Sequence, residues 1–66
     1  MDRIYVSSEV SFSNFRCLDI LGKEINSGDV IDNTLYLQNM KSGLYVLILS
    51  NDQFIVSKKI IVKGLN

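Results

Sequence analysis

The sequence predicts an all-β domain of about six short antiparallel strands, and three observations carry that prediction. Brief runs of β-branched and aromatic residues recur between clusters of Ser, Asn, Asp and Gly. No segment shows helical periodicity bounded by caps, and the chain contains no proline. The tail from Leu44 to Lys63 reads as two long strands separated by Asn51-Asp52 at hairpin spacing.

Taken in order, Ile4-Tyr5-Val6 is a β-rich run ended by Ser7-Ser8-Glu9, and Val10-Ser11-Phe12-Ser13 alternates as a strand edge until Asn14 breaks it. Phe15–Leu21 carries apolar residues on both faces, which suits a strand inside a sandwich, with Arg16 and Asp19 on opposite faces. Asp19 and Gly22 stand at the first and fourth positions of a turn, where a short acceptor side chain and a glycine are favoured. Lys23-Glu24-Ile25 starts the return, Asn26-Ser27-Gly28-Asp29 reads as a second turn and Asp32-Asn33 as a third. Thr34–Leu37 is a brief strand. Gln38–Gly43 is a loop in which Gly43 is expected to supply a positive φ. Leu44–Ser50 is the strongest strand, with Leu44, Val46 and Ile48 on one face and Tyr45, Leu47 and Leu49 on the other, and Gln53–Lys63 returns antiparallel to it.

Sixty-six residues make one domain, 1–66, with no room for a separate catalytic one. A fold of this size buries only ~60% of the surface its unfolded chain exposes. Hydrophobic residues at 47% and charged residues at 21% are enough for a packed core. Seven basic residues balance seven acidic ones, so no net field draws nucleic acid or anionic lipid. The longest apolar run, Leu44–Leu49, is far shorter than the ~20 residues of a membrane-spanning helix. The N-terminus lacks the basic-then-apolar order of a signal peptide and reads as a strand; if the parent is exported, its signal peptide is expected outside this chain.

Candidate chemistry is sparse. Asp29 and Asp32 lack the alternating oxygen ligands of a calcium loop, so no metal or cofactor is expected. There is no histidine, and the single cysteine, Cys17, lies in an apolar strand as a small core hydrophobe, so the chain is not expected to be an enzyme. The few aromatics are not interleaved with basic residues, which excludes a stacking platform for nucleic acid. Gly43 and Tyr45 fit a strand-start glycine and a core aromatic as well as they fit a recognition motif. Lys58 and Lys59 point to opposite faces of one strand, where lysine also discourages edge-to-edge aggregation.

Three groups of residues, in this order, carry a resemblance. Asp19, Gly22 and Lys23, then Gly43-Leu44-Tyr45, then Lys58-Lys59-Ile60-Ile61 resemble the motifs of the type A C-terminal sorting domain of the type IX secretion system of Bacteroidota. That family typically shows a Tyr-Asp-x-x-Gly-Lys turn, a Leu-x-x-Gly-Ile-Tyr strand and a Lys-rich last strand. Leu18 and Met40 stand where the family has tyrosine and leucine. The family's front Pro-Asn-Pro element has no counterpart here, which suggests a trimmed or truncated copy.

The resemblance implies an immunoglobulin-like β-sandwich that acts as an address, with Asp19, Gly22, Lys23, Gly43, Leu44, Tyr45, Lys58 and Lys59 as its signal residues. It further implies an upstream cargo domain, reading by the type IX translocon, a sortase-like surface protease, and a destination outside the cell or on its surface, reached through the periplasm. A structural or adhesive sandwich module, binding carbohydrate or protein, is the alternative function. Both faces of the strongest strand are apolar and a sandwich core takes only one. The isolated chain is therefore expected to self-associate, with Leu44, Val46 and Ile48 near the contact.

Overall fold

Alternation gives the strand from Gly43 to Ser50 two apolar faces, and a second sheet covers one of them. The computed structural model describes residues 2–63. Residues 1 and 64–66 of the expected domain lie outside the described residues. Six strands form: β1 (Asp2–Tyr5), β2 (Asn14–Leu18), β3 (Glu24–Asp29), β4 (Thr34–Leu37), β5 (Gly43–Ser50) and β6 (Ile55–Val62). They make two sheets, β3-β2-β5-β6 and β1-β4, and every pairing is antiparallel. No helix forms among the described residues.

β5 turns Tyr45, Leu47 and Leu49 inward, where all three are buried, and leaves Leu44 exposed and Val46 and Ile48 half-buried on the outside. The register extends these faces across the sheet. Gly28, Phe15, Leu49 and Val56 form one inner row, and Asn26, Cys17, Leu47 and Lys58 the next. Leu35 and Leu37 of β4 close the core from the other sheet and, with Cys17, are its most completely buried side chains. Phe12 and Val30 complete it from connecting segments, and Ile4 packs at its border. A Leu→Ala change at such a site typically costs about 2–5 kcal/mol.

Four elements differ from the sequence reading, the first two for tertiary reasons and the last two through local turn chemistry. Asn26–Asp29 is not a turn but the body of β3, paired residue for residue with β2. Its small polar residues cost little there, because the Phe15 ring lies against Gly28: a Cβ on Gly28 would meet Phe15 Cε1 at 3.2 Å. Val10–Ser13 is not a strand. It places Phe12 in the core, and Ser13 donates its N–H to the Ser50 carbonyl and accepts from Val30, after which Asn14 begins β2 rather than interrupting a strand. β2 stops at Leu18, where a bulge leads into the turn. Gln53 and Phe54 belong to the β5–β6 loop, since Ser50 pairs with Ile55.

The connections follow turn chemistry. Asp32 and Asn33, at φ 52° and 59°, form a two-residue turn closed by reciprocal bonds between Ile31 and Thr34. Positive φ at both centres is the primed hairpin geometry that Asp and Asn tolerate. In the β4–β5 loop the left-handed residue is Asn39, at φ 57°; Gly43 has no positive φ and starts β5 as an ordinary strand residue. The expectation for Gly43 is therefore corrected. The asparagine takes the strained position because its short side chain is tolerated there.

Candidate functional site

The turn after β2 explains its own residues. Gly22 N–H donates to the Asp19 carbonyl at 3.0 Å, and Asp19 N–H donates to the Lys23 carbonyl at 2.8 Å. This is a three-residue hairpin loop whose last position must be left-handed, and Gly22 sits there at φ 88°. Asp19 Oδ1 accepts from the N–H groups of Leu21 and Lys23, both at 2.9 Å. The Asp-x-x-Gly-Lys spacing is thus the requirement of one turn: an acceptor at its entry, a glycine at its strained exit, and a strand resuming at Lys23.

The apolar tip of this turn escaped the sequence reading. Ile20 is 71% and Leu21 89% exposed. The signal that could have revealed them is their position: two large aliphatic residues at the centre of a turn, where polar residues are usual and no core is within reach.

Antiparallel register brings the second motif to the same end. Leu18 pairs with Val46, so the Asp19 turn emerges beside the start of β5, where Gly43-Leu44-Tyr45 lies. Its three members do different things. Gly43 pairs with Val62, and a Cβ on it would make only ordinary contact with the Tyr45 ring, 3.6 Å away. Tyr45 is buried and its hydroxyl donates to the Lys41 carbonyl at 2.7 Å, holding the β4–β5 loop against the sheet. Leu44 faces outward, 46% exposed, opposite Ile61 at 77%.

Lys58 and Lys59 part company across β6, as their parity requires. Lys59 pairs with Val46 and joins Leu18 and Glu24 in an outer row across all four strands. Lys58 pairs with Leu47 and takes the inner side. The next outer row holds Arg16, whose Nε donates to Glu24 Oε1 at 2.6 Å, the single salt bridge among the described residues. Both partners are solvated, so the pair adds about 0–1 kcal/mol.

The structure therefore sets Asp19, Gly22, Lys23 and Leu44 at one end of the four-stranded sheet, puts Leu44 and Lys59 on its outer side, keeps Tyr45 inside, and sends Lys58 to the other face. Exposed toward that end are the apolar Ile20, Leu21, Leu44 and Ile61 and the cations Lys23 and Lys59. Such a surface can recognise a partner but presents no nucleophile and base pair. Cys17 is fully buried, and burial pushes its thiol up from the ordinary cysteine value, so it is no reactive nucleophile. No group of three His, Cys, Asp or Glu side chains able to hold a metal occurs among the described residues. Asp29 ends β3 and Asp32 lies in the tight turn after it.

Two asparagines do structural duty that the sequence did not announce. Asn26 donates from Nδ2 to the Gln38 carbonyl at 3.0 Å and accepts the Gln38 N–H at 3.2 Å, tying β3 to the chain leaving β4. Asn51 accepts from the Gln53 and Phe54 N–H groups and donates to the Ser11 carbonyl, organising the β5–β6 loop and anchoring the segment that carries Phe12.

No curated protein and no solved structure matches this chain. The family described as the secretion system C-terminal sorting domain matches it over residues 1–63, nearly its whole length. That family directs type IX secretion, across the outer membrane to the cell surface or beyond, through interaction with the secretion machinery, and it is not a catalytic family. The adhesive-module alternative gains no support. The ordered turn, strand and lysine motifs, set on an all-β fold of six strands, and this match show that the chain belongs to the C-terminal sorting domains of type IX secretion.

Proposed function

We propose that the address is read from the exposed end of the four-stranded sheet, with the Asp19–Lys23 turn, Leu44 and Lys59 as the surface the translocon contacts. The observation behind this reading is the separation of the motif residues by exposure. Lys23, Leu44 and Lys59 face solvent, as does the Ile20-Leu21 tip, whereas Tyr45 is consumed by the core. Asp19 and Gly22 shape the turn that presents this surface, and Gly43 and Tyr45 build the strand beneath it. Lys58 is a cation of the opposite face and has no part in this contact. In this reading the partners are the type IX translocon of a Bacteroidota cell, a sortase-like surface protease, and a cargo domain joined ahead of the sorting domain.

A reporter carrying the domain, expressed in a Bacteroidota strain with a working type IX system, tests the assignment. Lys23→Glu combined with Leu44→Ser and Lys59→Glu should leave the melting midpoint within a few degrees of the parent, since surface changes usually fall within about ±0.5 kcal/mol. Export should nevertheless fail, with the reporter held in the periplasm. Normal export of that folded triple variant would move the signal to another surface.

A further inference from the structure

The two sheets are unequal, and the mismatch leaves a vacancy. Four strands face two, and beyond the outer edge of β1 the inner side of β6 is uncovered: Val56 and Lys58 are exposed and Ile60 half-buried although all three share the core-facing side with Leu49, Leu47 and Tyr45. A cleft of about 410 Å³ occupies the space, with Ile4, Val6, Phe12, Leu49, Val56 and Ile60 among its walls.

One wall is an unpaired strand edge. Val6 donates its N–H to the Asn33 carbonyl at 2.7 Å, so in the antiparallel alternation the amide and carbonyl of Ile4 also face β4 and those of Tyr5 face away, toward the cleft side. The floor from Val56 to Ile60 spans roughly 14 Å, the length of a short strand. Its one charged lining residue is Lys58, which pairs with no carboxylate among the described residues. A free edge, an apolar floor and a lone cation are the elements of strand addition with one charge-selective position.

We propose that this cleft accepts one extended strand of a separate polypeptide, with apolar residues at alternate positions and a carboxylate opposite Lys58. The charge pattern favours such a partner over a second copy. β6, the longest free edge another copy could offer, brings Lys58 and Lys59 and would set like charges against each other, β1 is shorter than the floor, and β3, the other edge of the large sheet, is tied to the chain leaving β4 through Asn26 and Gln38. The inference stands on the cleft alone and does not depend on the export reading.

Two capped synthetic peptides test it against the isotope-labelled chain by amide chemical shifts. One is Thr-Val-Thr-Glu-Thr-Val-Thr, and the other has lysine in place of glutamate. The glutamate peptide should shift the amides of Tyr5 and of Val56 to Ile60 and bind about tenfold more tightly than the lysine peptide. Lys58→Glu should reverse that order, and Lys58→Gln, which keeps the stem without the charge, should abolish the discrimination. Absence of binding, equal binding of the two peptides, or shifts confined to the outer side around Leu44 and Ile61 would each overturn the proposal. So would movement of the same cleft amides on raising protein concentration alone, which would assign the cleft to a second copy.

Discussion

At Gly22 and Gly43 the same residue type answers different needs, and substitution separates them. Gly22 holds φ 88° with open space around its Cα, so alanine there meets no clash but pays for a left-handed backbone. Gly22→Ala should destabilise by about 1–2 kcal/mol. Gly43 has an ordinary backbone and room for a methyl group. Gly43→Ala should shift stability by less than about 1 kcal/mol, in the stabilising direction, by restricting the unfolded chain. Urea unfolding of both variants checks the contrast, and equal losses would show that conformational strain is not what distinguishes the two sites. Cys17 gives a second residue-scale prediction. Its folded-state thiol is shifted upward by burial, so the unfolded chain loses that proton at lower pH than the folded one. Its contribution to stability is whole below the unfolded-state pKa and is lost as pH rises through the folded one. A thiol reagent should therefore label Cys17 only on unfolding, and Cys17→Ala, although less stable at neutral pH, should lose less stability between neutral and alkaline solution. Labelling at the rate of a free thiol in native conditions would contradict the burial.

At the scale of elements, β3 is the least self-sufficient strand. Ile25 is the one large hydrophobic in Glu24–Asp29, and it is exposed, so β3 depends on its ladder with β2 and on the Asn26 clamp to Gln38. Asn26→Ala removes both bonds to Gln38 and the one to Met40 Sδ, which should cost about 1–2 kcal/mol. Hydrogen exchange should then quicken in β3 and at Gln38 ahead of β5. Uniform acceleration across all strands would show that β3 does not open as a separate unit. The β5–β6 hairpin is the opposite case: eight residues pair on each strand, and Asn51 closes the loop between them. Its pattern is local, and the sequence displays it.

For the whole molecule, the outer side of the large sheet raises the question of assembly. Leu44 and Ile61 are exposed there beside half-buried Leu18, Val46 and Ile48, an apolar stripe bordered by Lys59 and the Arg16–Glu24 pair. Covering such a stripe favours association at roughly 25 cal/mol per Å² of apolar surface, before the entropy of joining is subtracted. The isolated chain is accordingly expected to self-associate through this side at micromolar concentration, and Ile48→Lys should restore the monomer. Light scattering decides the point: a monomer for parent and variant alike would leave the stripe to another partner.

What depends on neighbours along the chain is legible in the order of residues. The hairpin of Leu44–Ser50 with its return strand, the Asp19–Gly22 and Asp32-Asn33 turns, and the core character of Cys17 all follow from alternation and turn chemistry. So does the order of motifs that identifies the family. Tertiary structure decided what depends on neighbours across the fold. It made a strand of Asn26–Asp29, because pairing with β2 and the Phe15 ring over Gly28 outweigh a weak local preference for turning. It moved the left-handed residue of the β4–β5 loop from Gly43 to Asn39. It also chose which of two apolar faces of β5 became the core, since Tyr45, Leu47 and Leu49 meet Leu35 and Leu37 of the opposing sheet and Leu44, Val46 and Ile48 do not. Alternation can show that a strand has two apolar faces, but only the position of the second sheet settles which one is dry.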